Sequence, residues 1–252
     1  MRFAYVGKTK TEPFPKGVGT CPACGAKTVA KCGSQKIWHW AHGARHSCDP
    51  WWENETPWHR AWKSYWAIEH QEVVHTDALT GERHIADVKN GSGLVLEFQN
   101  SAMDDVERGS RESFYRNMIW VVNGLPFLKN IEFGAKLPNP DLPGSMDLGI
   151  YPPLGVRPEF LYYRRSENDP GSTLVLLHNS DDIREFVVNS YVGHHLFTWK
   201  HSRDVWYRSA VPVYLDFGGE VMWQFVKFND RSPFCLKSTM KAEFIRSNGG
   251  SC

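Results

Sequence analysis

The sequence predicts a mixed fold of the α+β / α/β class in three parts. These are a small Cys/His-rich module (residues 1–50), a core running helix, three strands, helix, strand (51–125), and a mixed α/β extension (126–252). Three observations carry this. Cys21, Cys24, Cys32 and Cys48, four of the six cysteines, fall in the first 48 residues. Three strand-like segments between residues 71 and 101 are joined by short glycine-bearing turns. Helical spacing flanks that meander on both sides.

Composition bounds the reading. At 252 residues, 41% hydrophobic and 23% charged, the chain is long enough for its own core, and wholesale disorder is excluded. The longest apolar run, Met118 to Val122, is far short of the roughly 20 residues a bilayer span needs, so no membrane association is expected. The opening MRFAYVGKTK has no apolar leader core, and a cytoplasmic location is expected. Lys plus Arg number 29 against 28 acids, a net +1, yet residues 1–66 hold ten basic and four acidic residues (+6), leaving −5 for the rest. That asymmetry suggests a polyanion contact at one end, or simply solvated lysines on a small module.

In the first module, CPACG (21–25) has knuckle spacing and HWAH (39–42) supplies an HxxH. Cys21, Cys24, His39 and His42 would close a tetrahedral structural zinc site. Cys48 is the alternate ligand, with Cys32 or His46 as lesser substitutes; a redox CxxC is disfavoured because no βαβ setting follows. Seven of 11 tryptophans lie between residues 38 and 66, chiefly as core, with one or two free to stack on bases.

Next, Asn54 or Thr56 can cap a helix with Pro57 in its first turn, placing Glu55, His59 and Lys63 on one stripe. The segments 71–77, 82–90 and 93–101 then form the meander. In the third, Leu94, Leu96 and Phe98 take one face and Val95, Glu97 and Gln99 the other; in the second, Asp87 shares a face with Ile85. Two acids among apolar residues on adjacent strands call for a compensating cation, unless their face is simply exposed. Ser101 and Asp104 can open a helix over 102–117, with Phe114 and Met118 inward and Arg108, Arg111 and Tyr115 on another face. Strand MIWVVNG follows.

This αβββαβ order is that of the PD-(D/E)XK, restriction-endonuclease-like core. Taken together, CPACG, HWAH, the Glu55/His59/Lys63 spacing, IADV (85–88), LEFQNS (96–101) and SRESFYRNMIWVVNG (110–124) resemble the competence protein CoiA family. Such a resemblance implies a zinc-ribbon-like module that helps bind nucleic acid, ahead of a nuclease-like site at Asp87, Glu97 and Gln99, with Glu55 as a further acid. Asp87 and Glu97 would hold Mg²⁺ or Mn²⁺. Gln99 stands where many such proteins have lysine, leaving Gln99 or Lys63 to position the attacking water; His59 as base is the lesser role. Arg108, Arg111 and Tyr115 would contact the nucleic acid.

The function so implied is a Mg²⁺-dependent deoxyribonuclease acting on single- or double-stranded DNA, with homodimerisation left open. The alternative is a catalytically inactive nuclease-fold DNA-binding or DNA-processing protein, and the third reading is an unrelated zinc-ribbon interaction protein. In the extension, a proline-rich irregular connection is expected over 136–158, strands at 172–178 and 211–218, and a helix over 181–193. His194, His195 and residues 198–206 form either a structural element end or a basic, aromatic patch.

Overall fold

Short β-rich hairpins open the chain, as the turn residues dictate. The computed structural model describes residues 1–43, 48–153, 159–229 and 232–252. It divides into two compact units, one of residues 1–123, 208–211 and 242–252, the other of residues 124–207 and 212–241.

In the first unit, strands β1 (Ala4–Val6), β2 (Thr9–Thr11), β3 (Val18–Thr20), β4 (Lys27–Lys31) and β5 (His39–His42) form a sheet of order β2-β1-β3-β4-β5. Trp40, 1% exposed, fills the interior beneath it with Met1, Ala4, Cys21 and Ala23. Helix α1 (Pro57–Lys63) starts at Thr56, whose hydroxyl accepts from the His59 amide, while the His59 side chain reaches back to the Thr56 amide. His59 is thus a buried capping residue. Strands β6 (Gln71–Thr76), β7 (Arg83–Lys89) and β8 (Val95–Gln99) form the antiparallel meander, and β9 (Met118–Asn123) lies parallel to β8 after helix α2 (Asp105–Tyr115). The first unit therefore runs helix, three antiparallel strands, helix, parallel strand.

Helix α2 is shorter than the expected 102–117. Asp104 caps it by accepting from the Glu107 amide at 2.8 Å, and the Ser101 hydroxyl instead donates to Glu53 at 2.7 Å. Residues 95–99 of β8 are all buried, on both faces, so the expected apolar/polar alternation does not separate core from solvent there. Trp62 stacks on Phe98 (5.6 Å, 24°).

The second unit holds strands β10 (Ile131–Lys136), β11 (Leu148–Tyr151), β12 (Leu161–Arg164), β13 (His194–Trp199), β14 (Val213–Asp216), β15 (Val221–Lys227) and β16 (Phe234–Met240), with helices α3 (Pro143–Asp147) and α4 (Arg184–Ser190). Its main sheet runs β10-β13-β16-β15-β14, and β11 pairs with β12. Leu137, Leu148, Tyr162, Ile183, Leu196 and Cys235 pack its core. Three expectations change here. The 136–158 connection contains α3 and β11; Pro158 lies outside the described residues. The 181–193 helix contracts to α4. Residues 172–178 form no strand: apart from an isolated Tyr162–His178 bridge they have no sheet neighbour, and Leu174 is 82% exposed.

Helix α5 (Lys241–Ser247) leads the tail back into the first unit, where the Trp66 and Asn90 side chains donate to the Asn248 carbonyl at 3.0 and 2.9 Å.

Candidate functional site

Two constellations stand out, both in the first unit. The first begins at the end of β3, where the chain turns tightly after Cys21. The Cys21 amide donates to the Ala26 carbonyl (2.8 Å) and the Gly25 amide to the Cys21 carbonyl (3.0 Å). Gly25 takes φ +72°, a conformation that favours glycine. Ligand atoms of Cys21, Cys24, His42 and Cys48 all lie within 4.8 Å of one another, a Cys₃His set compatible with one structural zinc. Burial, and then the neighbouring Cys21 thiol, push the Cys48 thiol up to about 12.

His39 does not join. Residues three apart on a strand point to opposite faces, so on β5 only His42 shares the Trp40 side of the sheet. His39 instead donates from Nδ1 to the Ile37 carbonyl at 2.8 Å, and Cys48 takes its place. Cys32 is outside the set, and His46 lies outside the described residues.

The second constellation lines a cavity of about 60 Å³ whose walls include Glu55, Lys63, Glu72, Asp87, Glu97 and Gln99. The β7–β8 ladder creates it. Regular pairing covers Val88–Leu96 and Lys89–Val95. Beyond that, side chains replace carbonyls: the Asp87 amide donates to Glu97 Oε1 (3.1 Å) and the Phe98 amide to Asp87 Oδ2 (3.0 Å). Two carboxylates are thereby fixed against each other by the backbone itself.

Their compensation comes from two buried cations. Lys63 Nζ lies 2.8 Å from Glu55, 3.1 Å from Glu72 and 3.5 Å from Asp87. Burial opposes its charge, but Glu72, Asp87 and Glu55 together hold its pKa above the ordinary lysine value. Arg111 pairs with Glu97 at 3.1 Å and with Glu107, and donates to the Trp51 carbonyl at 2.8 Å. Glu97 is nevertheless pushed up to about 8, first by burial and then by Asp87, so one carboxylate too many faces the cavity. Glu72 goes the other way: burial raises it, but Lys63 and the amides of Arg2 and Phe3 bring it down to about 2.

Gln99 is fixed by donation to Glu53 and to the Ser101 hydroxyl (3.1 Å). Among the described residues, the acids do not close into a three-ligand metal set as the thiols do. Arg108, Arg111 and Tyr115 are 7%, 4% and 4% exposed, and do not form the expected nucleic-acid surface. Arg108 is turned inward by its pair with Glu112 (2.5 Å), Arg111 by Glu97, and Tyr115 by packing against Trp51 and Phe114.

Glu72, Glu53 and Asp49 belong to the site, and sequence reasoning does not single them out. Glu72 sits at φ +44° ahead of an apolar run, with nothing in the chain to mark it. Glu53 is readable in principle from its place two residues before Glu55. Asp49, next to Cys48, accepts from the Ile85 amide (2.8 Å) and meets His84 Nδ1 at 2.8 Å, tying the Cys₃His module to β7.

The first unit is thus a β-module with a zinc-type ligand set joined to a mixed α/β core that carries a carboxylate-rich cavity. Residues 16–50 match the family model described as Competence protein CoiA, N-terminal domain. That match spans all four clustered ligands and, of the cavity residues, only Asp49. Comparison with curated proteins and with solved structures found no match. Among the described residues, no helix is long and apolar enough to cross a membrane.

Proposed function

We propose that the chain is a CoiA-like, metal-dependent deoxyribonuclease of the PD-(D/E)XK type, with the Cys₃His cluster holding a structural zinc. The observation that carries the reading is the pairing of Asp87 with Glu97. Each carboxylate accepts from the other strand's backbone, and burial together with Asp87 raises the Glu97 pKa. The order helix, antiparallel meander, helix, parallel strand supports it, as does the family match in the first module.

Two carboxylates with room left for water and phosphate oxygens suit Mg²⁺ or Mn²⁺, which rarely takes an all-protein cage. Asp87 and Glu97 would hold the ion, which when bound supplies neutralisation of phosphate charge and a more acidic water. Lys63, kept charged by its three acids, offers N–H donors to a phosphate oxygen or to the attacking water. Gln99 fixes the cavity wall through Glu53 and Ser101, and water positioning would require either its amide or Lys63 to exchange one of its present partners. The basic bias of residues 1–66 would hold the DNA backbone, predicting a steeply negative log–log salt dependence of binding.

The test is incubation of plasmid and single-stranded DNA with Mg²⁺ or Mn²⁺ against EDTA. Cleavage only with the divalent ion supports the reading; binding without cleavage under every condition leaves the inactive DNA-binding alternative.

A further inference from the structure

The second unit contains an aromatic surface that the cavity chemistry does not use. On β13, Leu196 faces the core of that unit, so alternation sends His195 to the opposite side of the sheet. There it meets Trp223 of β15 (5.3 Å) and Tyr191 (5.5 Å). Phe133 of β10 continues the row, 4.6 Å from Trp223 and 6.1 Å from Phe217. Phe133 is 41% exposed, and Trp223, His195, Tyr191 and Phe217 are half-buried.

Two lysines flank this row, while Asp204 lies further along the same face beside Tyr207, which packs on Phe225. Lys136 pairs in register with His195 and lies over the Tyr191 ring at 4.7 Å; Lys227, exposed, shares the Trp223 side of β15. The one acid of β10, Glu132, pairs in register with Thr198, so it falls on the opposite face, where it binds Lys200 at 2.7 Å. Burial, and then Lys136, keep His195 below the ordinary histidine pKa, so it acts as a neutral ring. The edge itself is guarded against pairing with a second copy. Strand β10 changes register between Phe133 and Lys136 and carries exposed charges.

We infer that this row of rings flanked by Lys136 and Lys227 binds single-stranded nucleic acid, with unpaired bases stacking on Phe133 and Trp223 and phosphates meeting the lysines. Charge complementarity selects a polyanion, and the rings select one whose bases are free. In a duplex the base faces are already stacked and cannot reach an aromatic side chain. The site is separate from the carboxylate cavity and does not depend on whether that cavity cleaves.

The experiment measures fluorescence anisotropy of a labelled 15-nucleotide oligo-dT and of a duplex of equal length with the full chain and no added Mg²⁺ or Mn²⁺, so that cleavage plays no part. Wild type should prefer the single strand. Phe133→Ala should weaken it about five- to a hundredfold, with the fold retained and only a small drop in melting temperature because the ring is partly exposed, and Phe133→Tyr should restore it. Lys136→Gln should reduce the salt slope by about one. Equal affinity for duplex and single strand, or a Phe133→Ala variant that binds oligo-dT like wild type, overturns the inference.

Discussion

At the Cys₃His cluster, the groups that shift Cys48 are burial and the neighbouring thiols; at the acid cavity, Glu55, Glu72 and Asp87 share the ammonium of Lys63. The first cluster gathers potential anions with no side-chain cation among those influences. The second brings its own counter-ions from α1 and α2. On the proposed reading an ion held by the thiols would contribute to folding, whereas one at the carboxylates would serve only chemistry. A buried charge is tolerated when paired, and the cavity pairs nearly all of its charges.

The largest expected effect follows from the thiol side. Structural zinc contributes about 10 kcal/mol or more to the folding of small domains. Cys21→Ser and Cys48→Ser should each abolish stoichiometric zinc in metal analysis and sharply lower the melting temperature. His39→Ala should retain one zinc per chain; loss of zinc in that variant alone would return His39 to the ligand set.

Lys63→Met breaks the other side of the comparison. It strands three acids, and removing one partner of a buried ion pair costs about 3–5 kcal/mol. Denaturant unfolding without added Mg²⁺ should show that loss, and adding Glu72→Gln should recover part of it.

Two carboxylates of one cavity should also titrate oppositely without added Mg²⁺. Glu72 has its folded pKa lowered to about 2, so its stabilisation is full above the usual glutamate range and disappears as pH falls through about 2. Glu97 has its folded pKa raised to about 8. Between about 4.5 and 8 the folded state holds the extra proton, so this group makes stability fall as pH rises. Glu97→Gln should flatten that upper limb of a pH–stability curve and leave the acid limb in place; an unchanged upper limb would remove Glu97 as its cause.

Gln99→Ala should have a smaller consequence, because the side chain supports the wall through Glu53 and Ser101. A cleavage rate reduced by less than about 10²-fold is expected, while a larger loss would place the amide in direct contact with the reacting groups.

What can be read from the chain follows range in sequence. Cys21 and Cys24 are legible because a knuckle is local. The choice of Cys48 over His39 is not, since HxxH spacing suits one helix face but splits across a strand. Asp87 and Glu97 are legible from strand pairing joined by a short turn. Their surroundings are only half so: the helix begins at Pro57, so Glu55 meets Lys63 from ahead of the cap rather than from the expected helical stripe, and Glu72 enters through a left-handed residue that no pattern announces. Arg111 reads as a surface contact because helical periodicity shows which residues share a face, not what covers it. The 172–178 segment has strand composition, yet a strand without a neighbour leaves its backbone to water.

The central claim is that the cavity folds on its own charges and reacts only with a divalent ion. The direct measurement is plasmid cleavage with and without added Mg²⁺ by wild type and Asp87→Asn, with melting curves alongside. That substitution keeps the size of the side chain and leaves Lys63 with Glu55 and Glu72. Wild-type cleavage confined to Mg²⁺, no cleavage by Asp87→Asn, and closely similar melting curves without added Mg²⁺ are predicted. Cleavage by Asp87→Asn at the wild-type rate, or a wild-type fold that melts out when Mg²⁺ alone is withdrawn, would contradict it.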